Sequence, residues 1–326
     1  MKLQFLASIL LITIISHSAF GWSAPGHQAI GRAALNMIGI STKDTVDGIL
    51  GDETVEDAAT WLDHVREMSK GRFHFDDQDE QDAAVQFNHN FKGNGDWHFV
   101  NYPVGLTDYH LDGKFSSSND VVHGIERAIE VLEGAPSEMS KLQALRVLIH
   151  LVGDIHQPLH CVTGYFDLSD MDNPKLLEAA KVKDPKKTVE DRGANQLFYT
   201  PKQELHAFWD RQLPEAISKD PAELVNAISV SNLKQQPRTD GDYHKWAEMW
   251  ASETMQAGAA AYNGLEFTSA EFLEDPQHPD HQTLFIHTKL PGGTAGYKAA
   301  QKDRAEEQLR KAAVHLAQLL GSIKFQ

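Results

Sequence analysis

The segment 150–160, which reads HLVGDIHQPLH, is the sequence feature that most restricts how this chain can fold. His150 and Asp154 are four residues apart, so a helix would place both side chains on one face. Pro158 ends or kinks a helix, which allows His160 to return to the same region. Imidazole and carboxylate are zinc ligands, so the segment predicts a metal site on a helix. On its own, it also fits a core helix with one satisfied histidine and a capping aspartate.

A second pair with the same spacing lies in the segment 204–210. His206 and Asp210 predict another helix that presents an imidazole and a carboxylate on one face. Two such pairs in one chain are hard to explain by chance, and we interpret both as metal ligands. The segment 274–296 is rich in proline, glycine and histidine, and it is predicted to be a loop. Its histidines fit either metal ligands or surface residues, and we expect surface histidines, namely His278, His281 and His287.

The first 21 residues differ from the rest of the chain. Lys2 precedes an apolar run over residues 3–15, and Ala19-Phe20-Gly21 offers small residues at a cleavage site. This pattern predicts a secretory signal peptide over residues 1–21 and a mature domain over residues 22–326. A membrane anchor is the weaker alternative, because a spanning helix needs roughly 20 apolar residues. We therefore expect a secreted or periplasmic protein with no membrane anchor after signal removal.

Cleavage after Gly21 would place a free amine on Trp22. That amine and the carbonyl oxygen of the same residue can chelate a metal ion through a five-membered ring. His27 lies near the start of a helix predicted over residues 29–38, where it fits either a ligand or a polar surface residue.

Two further segments carry candidate site residues. Asp63 and Arg66 are three residues apart on a helix predicted over residues 54–68. They fit either a surface ion pair or a carboxylate ligand beside a guanidinium that grips a phosphate. His98 and Phe99 offer a ligand next to a ring on which a base can stack, although aromatic residues in such a stretch also suit the core.

The net charge and the cysteine content limit which ligands the protein can bind and how its fold is stabilised. The formal charge of -16 should repel a phosphate backbone unless bound metal ions supply local positive charge. Cys161 is the single cysteine, so the exported chain has no internal disulfide and depends on packing or metal for stability. We expect Cys161 to be a buried, inert thiol rather than a soft ligand.

Helical periodicity dominates the chain, and strands are scarce. The predicted class is all-α, a single compact multi-helix domain with long loops and at most a short hairpin. The polar, acidic stretch over residues 69–96 is predicted to be a long loop. Neither G-x-G-x-x-G nor a phosphate-binding Gly-rich lysine loop is present. The further predicted helices cover residues 119–132, 137–152, 214–231, 242–262 and 295–323.

Nine candidate metal ligands emerge, which exceeds the four that one zinc ion needs and suits three ions. They are the Trp22 terminus, His27, Asp63, His98, His150, Asp154, His160, His206 and Asp210. In this order and spacing the chain resembles the zinc-dependent type I nucleases, the single-strand-specific fungal and bifunctional plant enzymes that share a fold with zinc phospholipases C. The resemblance spans nearly the whole mature chain.

The resemblance implies three Zn²⁺ per chain. The implied sets are Asp63, His98 and His150 for one ion, His160, His206 and Asp210 for a second, and Trp22 and His27 for the third, with Asp154 bridging the first and third. It also implies that Asp63 orients the attacking water, that Arg66 steadies the phosphate and that Phe99 stacks a base. The expected activity is hydrolysis of single-stranded DNA and RNA to 5′-phosphate products, and of 3′-nucleotides, by a monomer.

Two positions depart from the family pattern. The chain has Gly193-Ala194-Asn195 where the family usually has Gly-Gly-Asn, and Asn101 where an acidic residue often follows the His-Phe pair. We expect Asn101 and Asn195 to contact the base, so both departures bear on base preference. Eukaryotic members carry disulfides, and the lone Cys161 therefore suggests a bacterial branch.

Two alternative functions remain at this stage. A zinc-dependent phospholipase C would use the same ions on a lipid headgroup. In that family, however, the last pair ends in Glu where this chain has Asp210, and the first histidine lies further from the terminal Trp. The second alternative, a zinc-binding protein without turnover, would hold the ions but hydrolyse neither substrate.

Overall fold

The computed structural model of the protein describes residues 22–110, 113–275 and 278–326. The predicted signal peptide lies outside the described residues. The described chain is mainly helical, which confirms the predicted class. Its helices are α1 (Ala24–Met37), α2 (Ile40–Leu50), α3 (Val55–Ser69), α4 (Gln78–Asn90), α5 (Val121–Leu132), α6 (Lys141–Asp154), α7 (Pro158–Cys161), α8 (Leu205–Ala207), α9 (Leu213–Ile217), α10 (Pro221–Ile228), α11 (Trp246–Ala261) and α12 (Gly293–Leu320).

Short strands connect the helices and one long hairpin follows α11. The strands are β1 (Tyr102–Pro103), β2 (Val162–Thr163), β3 (Tyr165–Asp167), β4 (Lys175–Leu176), β5 (Val189–Glu190), β6 (Leu197–Thr200), β7 (Gln203–Glu204), β8 (Glu266–Asp275) and β9 (His278–Lys289). They form a parallel pair β1-β2, a sheet of order β4-β3-β5 and a sheet of order β7-β6-β9-β8. In the last sheet β6 runs parallel to β9, and the other neighbours are antiparallel.

Helix α6 is the central element of the helical layer. It packs against α1, α3, α5 and α12, and every residue from Ala144 to Asp154 is buried. The six tryptophans of the sequence are all buried as well, which makes them the largest side chains of the core. A helix that is surrounded on all sides can carry polar ligands at its end only if those ligands have partners.

Local sequence explains where the two main ligand-bearing helices begin. Thr54 caps α3 as predicted, because its hydroxyl accepts a hydrogen bond from the Asp57 N–H. Helix α6 begins later than predicted: Ser140, not Ser137, is the N-cap, and it forms a capping box with Gln143. The predicted helix over residues 214–231 is divided into α9 and α10, since Asp220 caps a new helix with Pro221 in its first turn.

Two predicted loops contain regular structure. The stretch 69–96 includes α4, which was missed because only Ala84 and Phe87 on this acidic helix are buried. The stretch 274–296 includes β9 and the start of α12, so the loop prediction is wrong there, and the hairpin with β8 is longer than expected. Three consecutive residues of β9, Leu284, Phe285 and Ile286, are buried, so this part of the strand is covered on both faces.

Candidate metal centre

The predicted ligands come from seven separate elements that meet at the end of α6. Helix α1 supplies His27, α3 supplies Asp63, and a 3₁₀ turn over Asn94–His98 supplies His98. Helix α6 supplies His150 and Asp154, and α7 supplies His160. His206 lies on α8, and Asp210 lies on the following π-helical turn rather than on one regular helix. All eight side chains are buried.

These side chains form three groups that could hold metal ions within the described part of the chain. In each group the candidate donor atoms lie within 4.8 Å of one another. The groups are His27, Asp63 and His150; His98, His150 and Asp154; and His160, His206 and Asp210. The third group matches one of the sets expected from the sequence, whereas His150 is shared by the other two.

Asp154 lies at the centre of the arrangement. Its Oδ2 is 2.9 Å from His98 Nδ1 and 3.1 Å from His150 Nε2. Its Oδ1 is 3.3 Å from His27 Nε2 and 3.5 Å from His160 Nδ1. One carboxylate therefore contacts histidines of every group, which is the position that a bridging ligand needs.

Backbone carbonyls fix the tautomers of three of these histidines. The Nδ1 atoms of His150, His160 and His206 lie 2.8, 2.5 and 2.5 Å from the carbonyl oxygens of Ala59, His98 and Gly193. A carbonyl only accepts, so each Nδ1 carries the proton and donates it, and each Nε2 keeps a lone pair. This outer hydrogen bond is the usual means of orienting a metal-bound histidine.

The free lone pairs then face one another inside the protein. His160 Nε2 and His206 Nε2 are 3.2 Å apart, and neither bears a proton in the tautomers just derived. Among the described residues, buried polar atoms without a hydrogen-bond partner cluster here: both ring nitrogens of His27, Nε2 of His98, Oδ1 of Asp63 and Oδ1 of Asp154. Buried acceptors that lack donors are costly, and a shared cation satisfies them. The donor set of imidazoles and carboxylates fits zinc.

Burial and charge set the protonation of the site. Burial, with a smaller contribution from the positive charge of Arg66, lowers the pKa of His98 to about 4 and that of His206 to about 3. Both imidazoles are therefore neutral and able to coordinate at neutral pH. Burial opposes protonation of His150 too, but the charges of Asp154 and Asp63 outweigh it and raise its pKa to about 9. A cation that binds there must displace that proton.

Two residues that the sequence reading did not assign orient the ligands of the third group. Gln157 Nε2 donates to Asp210 Oδ1 at 2.6 Å, while Gln157 Oε1 accepts from the Leu159 N–H. Asp191 is fully buried and holds the turn whose Gly193 carbonyl accepts from His206. No spacing rule signals either residue, because each acts through a tertiary contact.

The turn after Asp191 is strained. Three consecutive residues, Arg192, Gly193 and Ala194, have φ of 57°, 63° and 64°, although only glycine adopts this region without cost. Asp191 Oδ1 accepts from the Ala194 N–H at 2.9 Å and from Thr163 Oγ1 at 3.0 Å. A Cβ on Gly193 would also meet the Leu159 carbonyl oxygen at 2.3 Å, so glycine is required at this position.

Trp22 and Arg66 lie beside the ligand groups. The Ser23 N–H donates to the Asp210 carbonyl at 2.9 Å, which places the backbone of Trp22 next to a ligand residue. The Trp22 indole is fully buried. The charge of Arg66 acts on His98, His160 and His206, so the guanidinium is electrostatically close to more than one group.

The residues expected to contact a base are distributed around these groups. Phe99 follows His98 and is half-buried, with its carbonyl accepting from the Val121 N–H. Asn101 lies 3.4 Å from the Glu190 carboxylate, and Asn195 donates to the Arg192 carbonyl at 2.7 Å. The side-chain amides of both asparagines thus have partners within the protein. Cys161 is buried, and burial raises the pKa of its thiol, as expected for an inert cysteine.

Another histidine considered as a ligand, His287, has a different partner. His287 pairs with Glu271 at 2.7 Å on the exposed face of the hairpin. The side chains of His278 and His281 lie outside the described part of the structure. In the described residues, no helix is both long and apolar enough to cross a membrane.

Comparisons with known proteins agree with this geometry. The sequence model of the family described as S1/P1 Nuclease matches residues 22–324. The chain is 24% identical to Nuclease S1 of Aspergillus oryzae, over 88% of this chain and 92% of that protein. It is 25% identical to Endonuclease 1 of Arabidopsis thaliana, over 89% and 86% of the two chains. It is 24% identical to Nuclease P1 of Penicillium citrinum, over 70% and 71%.

Proposed function

Because the chain belongs to the S1/P1 nuclease family, which makes it a nuclease that hydrolyses nucleic acid, we propose that it is an exported enzyme with three Zn²⁺ per chain. The proposed substrates are single-stranded DNA and RNA, cut to 5′-phosphate products, and 3′-nucleotides. The observation that carries the proposal is the set of Nδ1–H donors to backbone carbonyls, which in the neutral rings of His150, His160 and His206 leaves the buried Nε2 atom as the one able to bind a metal ion.

The proposed ligand sets are those that the family resemblance implies, and the position of Asp154 among the histidines supports its bridging role. Asp63, His98 and His150 would hold one ion, His160, His206 and Asp210 a second, and Trp22 and His27 a third, with Asp154 shared between the first and third. The Trp22 contribution depends on cleavage after Gly21, and the contact of Ser23 with Asp210 supports it. Zinc at these positions would lower the pKa of bound water and offset the charge of a phosphodiester.

Three residues of the chain orient the reacting groups: Asp63 the water, Arg66 the phosphate and Phe99 the base. The Asp63 carboxylate accepts a hydrogen bond from the attacking water, since its Oδ1 has no hydrogen-bond partner among the described residues. Arg66, three residues later on α3, directs its guanidinium at the phosphate, where two parallel donors match two oxygens. Phe99 provides a face for the base, which must be unstacked to reach it, and this favours single strands.

The test compares denatured DNA, duplex DNA and phosphatidylcholine as substrates of the purified mature protein. The proposal predicts hydrolysis of denatured DNA, with 5′ phosphates on the products and a slower rate on duplex. Hydrolysis of phosphatidylcholine without hydrolysis of DNA would instead support the phospholipase alternative. Zinc binding without turnover of any of the three would support the non-catalytic alternative.

The proposed roles of Arg66 at the phosphate and of Phe99 at the base can be tested separately. Arg66→Lys keeps the charge but loses the two-donor fork, so we expect a fall in kcat of about 10²-fold with zinc content unchanged. Phe99→Ala should instead raise KM for single strands by about tenfold or more, as loss of one stacked base implies. The same change in kcat and KM for both variants, or a loss of zinc from either, would contradict these separate roles.

A further inference from the structure

An aromatic and basic segment begins directly beside the metal centre and has no role in the function proposed above. The sequence over residues 70–75 reads KGRFHF, in which two cations, Lys70 and Arg72, directly precede Phe73 and Phe75. The chain as a whole has 46 acidic and 30 basic residues other than histidine, so such a run is unusual in it. Neighbouring cations and aromatic rings are suited to binding an unpaired nucleic-acid strand, because the cations can contact its phosphates and the rings can stack on its bases.

The rings of this segment pack on a histidine adjacent to a candidate ligand. Phe73 stacks on His64 with centroids 4.2 Å apart and planes 4° from parallel. Phe75 meets Phe73 edge-on at 4.9 Å. His64 follows Asp63 in α3, so the stack begins one residue from the metal centre. All three rings are only half-buried, and together they form a π-surface open to solvent.

Packing alone does not account for Phe73. Phe75 packs against the hydrophobic core, but Phe73 is absent from both the core and the residues packed on it. Its ring contacts are His64 and Phe75. A half-exposed phenylalanine that lies flat on a histidine is poorly explained as a core residue. A nucleic-acid base could extend the stack of Phe73 on His64.

Two cations flank the rings. Lys70 Nζ and Arg72 Nε lie 2.9 and 2.8 Å from the two oxygens of the single carboxylate of Glu67. Two positive charges on one negative charge leave the cluster net positive. Both cationic side chains are 36% exposed, so they can also reach a phosphate. Acidic residues, Asp76 and Asp77, follow the segment directly, so the positive charge is confined to these two exposed side chains, where it can attract one phosphate.

We propose that His64, Lys70, Arg72, Phe73 and Phe75 form a second nucleotide subsite, which binds the unpaired strand beyond the phosphodiester that is cut. This proposal rests on the nuclease function proposed above. A strand that crosses the metal centre continues on both sides of the cut bond, and Phe99 lies on a different segment from these rings. The subsite would stack one further base and hold one further phosphate, giving longer strands an advantage over dinucleotides.

The test uses the zinc-loaded mature protein and compares a thymidine dinucleotide with an oligothymidylate of about twelve nucleotides, a length within the range that one binding groove covers. Phe73→Ala should lower the ratio of kcat/KM for the long substrate to that for the dinucleotide by about tenfold, the loss of one stacked base. Phe73→Trp should keep the ratio. Phe272→Ala removes an exposed phenylalanine from β8 and serves as the matched control.

The cations are tested by salt dependence. For Arg72→Gln, the slope of log KM for the long strand against log salt concentration should fall by about 0.7, the value for one phosphate contact on a single strand. Binding of a phosphorothioate oligothymidylate, measured by fluorescence anisotropy, should weaken in parallel with KM for Phe73→Ala. This second readout does not depend on turnover.

The outcomes separate the subsite from the function on which it rests. If the wild-type protein cuts neither substrate, the proposed function fails. If the wild-type protein cuts both but Phe73→Ala leaves the ratio and the anisotropy unchanged, the subsite is wrong. An equal loss on both substrates would also overturn it, because that result would mean a disturbed metal centre rather than a lost contact beyond the cut bond.

Discussion

Replacement of Gly153 by alanine tests how tightly the metal centre is packed. Gly153 precedes Asp154 in α6, and a Cβ built there would lie 2.6 Å from His27 Nδ1 and 2.9 Å from His27 Cε1. Real Cβ contacts essentially never fall below 3.0 Å, so the imidazole must move. His27 has little room to do so, since it is buried and stacks on His150 with centroids 4.0 Å apart.

Two opposing terms set the effect of this substitution on stability. Alanine is favoured over glycine inside a helix by about 1 kcal/mol. Overpacking of a buried site typically costs about 1 to 3 kcal/mol, so the net loss of unfolding free energy should stay below about 2 kcal/mol and the protein should fold. Metal ligands tolerate displacements of only about 0.2 Å, however. The main effect is therefore expected on metal binding rather than on folding.

The assay measures zinc per chain after dialysis, together with hydrolysis of single-stranded DNA and urea unfolding. For Gly153→Ala we expect loss of the ion proposed at His27 and a fall in activity of about 10- to 100-fold, as for a disturbed supporting residue of a metal site. Gly48→Ala in α2 is the matched control, because nothing lies within 4 Å of its Cβ. It should gain about 1 kcal/mol and keep full zinc. Full zinc and normal hydrolysis in Gly153→Ala would refute the reasoning.

Three further substitutions test the supports of the site. Arg146→Met breaks buried ion pairs with two glutamates between α6 and its neighbours, and it should cost about 3 kcal/mol in urea unfolding; a loss under about 1 kcal/mol would contradict this. Burial lowers the pKa of His315 from 6.5 to about 4, so the unfolded chain binds the proton more tightly and stability falls as pH drops through that window. In His315→Gln, the loss of unfolding free energy on acidification should be smaller by about 3 kcal/mol. If the dependence of stability on pH did not change, protonation of His315 would be excluded as its cause. Asp191→Asn should loosen the strained turn and weaken zinc binding by about 10- to 100-fold in a chelator competition, whereas equal affinity would assign Asp191 to folding alone.

Spacing along the sequence was sufficient to predict the ligands that share one element. His150 and Asp154 are four residues apart on α6, and the structure brings their side chains to 3.1 Å. Helix periodicity fixes that geometry before any tertiary packing is known. The family and the mainly helical class could be recognised in the same way, because the ordered motif and the apolar spacing are both properties of the linear chain.

Contacts between distant segments could not be predicted in this way. The carbonyls of Ala59 and Gly193 select the tautomers of His150 and His206, yet a backbone carbonyl has no sequence signature. Asp191 likewise acts only through the folded turn. The edge strand β8 and its partner β9 were missed because their pairing is a contact between separate segments, while the proline- and histidine-rich composition at the start of β9 resembles that of a loop.

The central claim is that three buried His/Asp groups hold the zinc ions on which hydrolysis of unpaired strands depends. The most direct measurement is metal analysis of the mature protein combined with single-stranded DNA hydrolysis before chelation, after chelation and after zinc is restored. We expect three zinc ions per chain, loss of hydrolysis on chelation and its recovery in step with zinc content. Full hydrolysis by protein that has been stripped of metal would contradict the account.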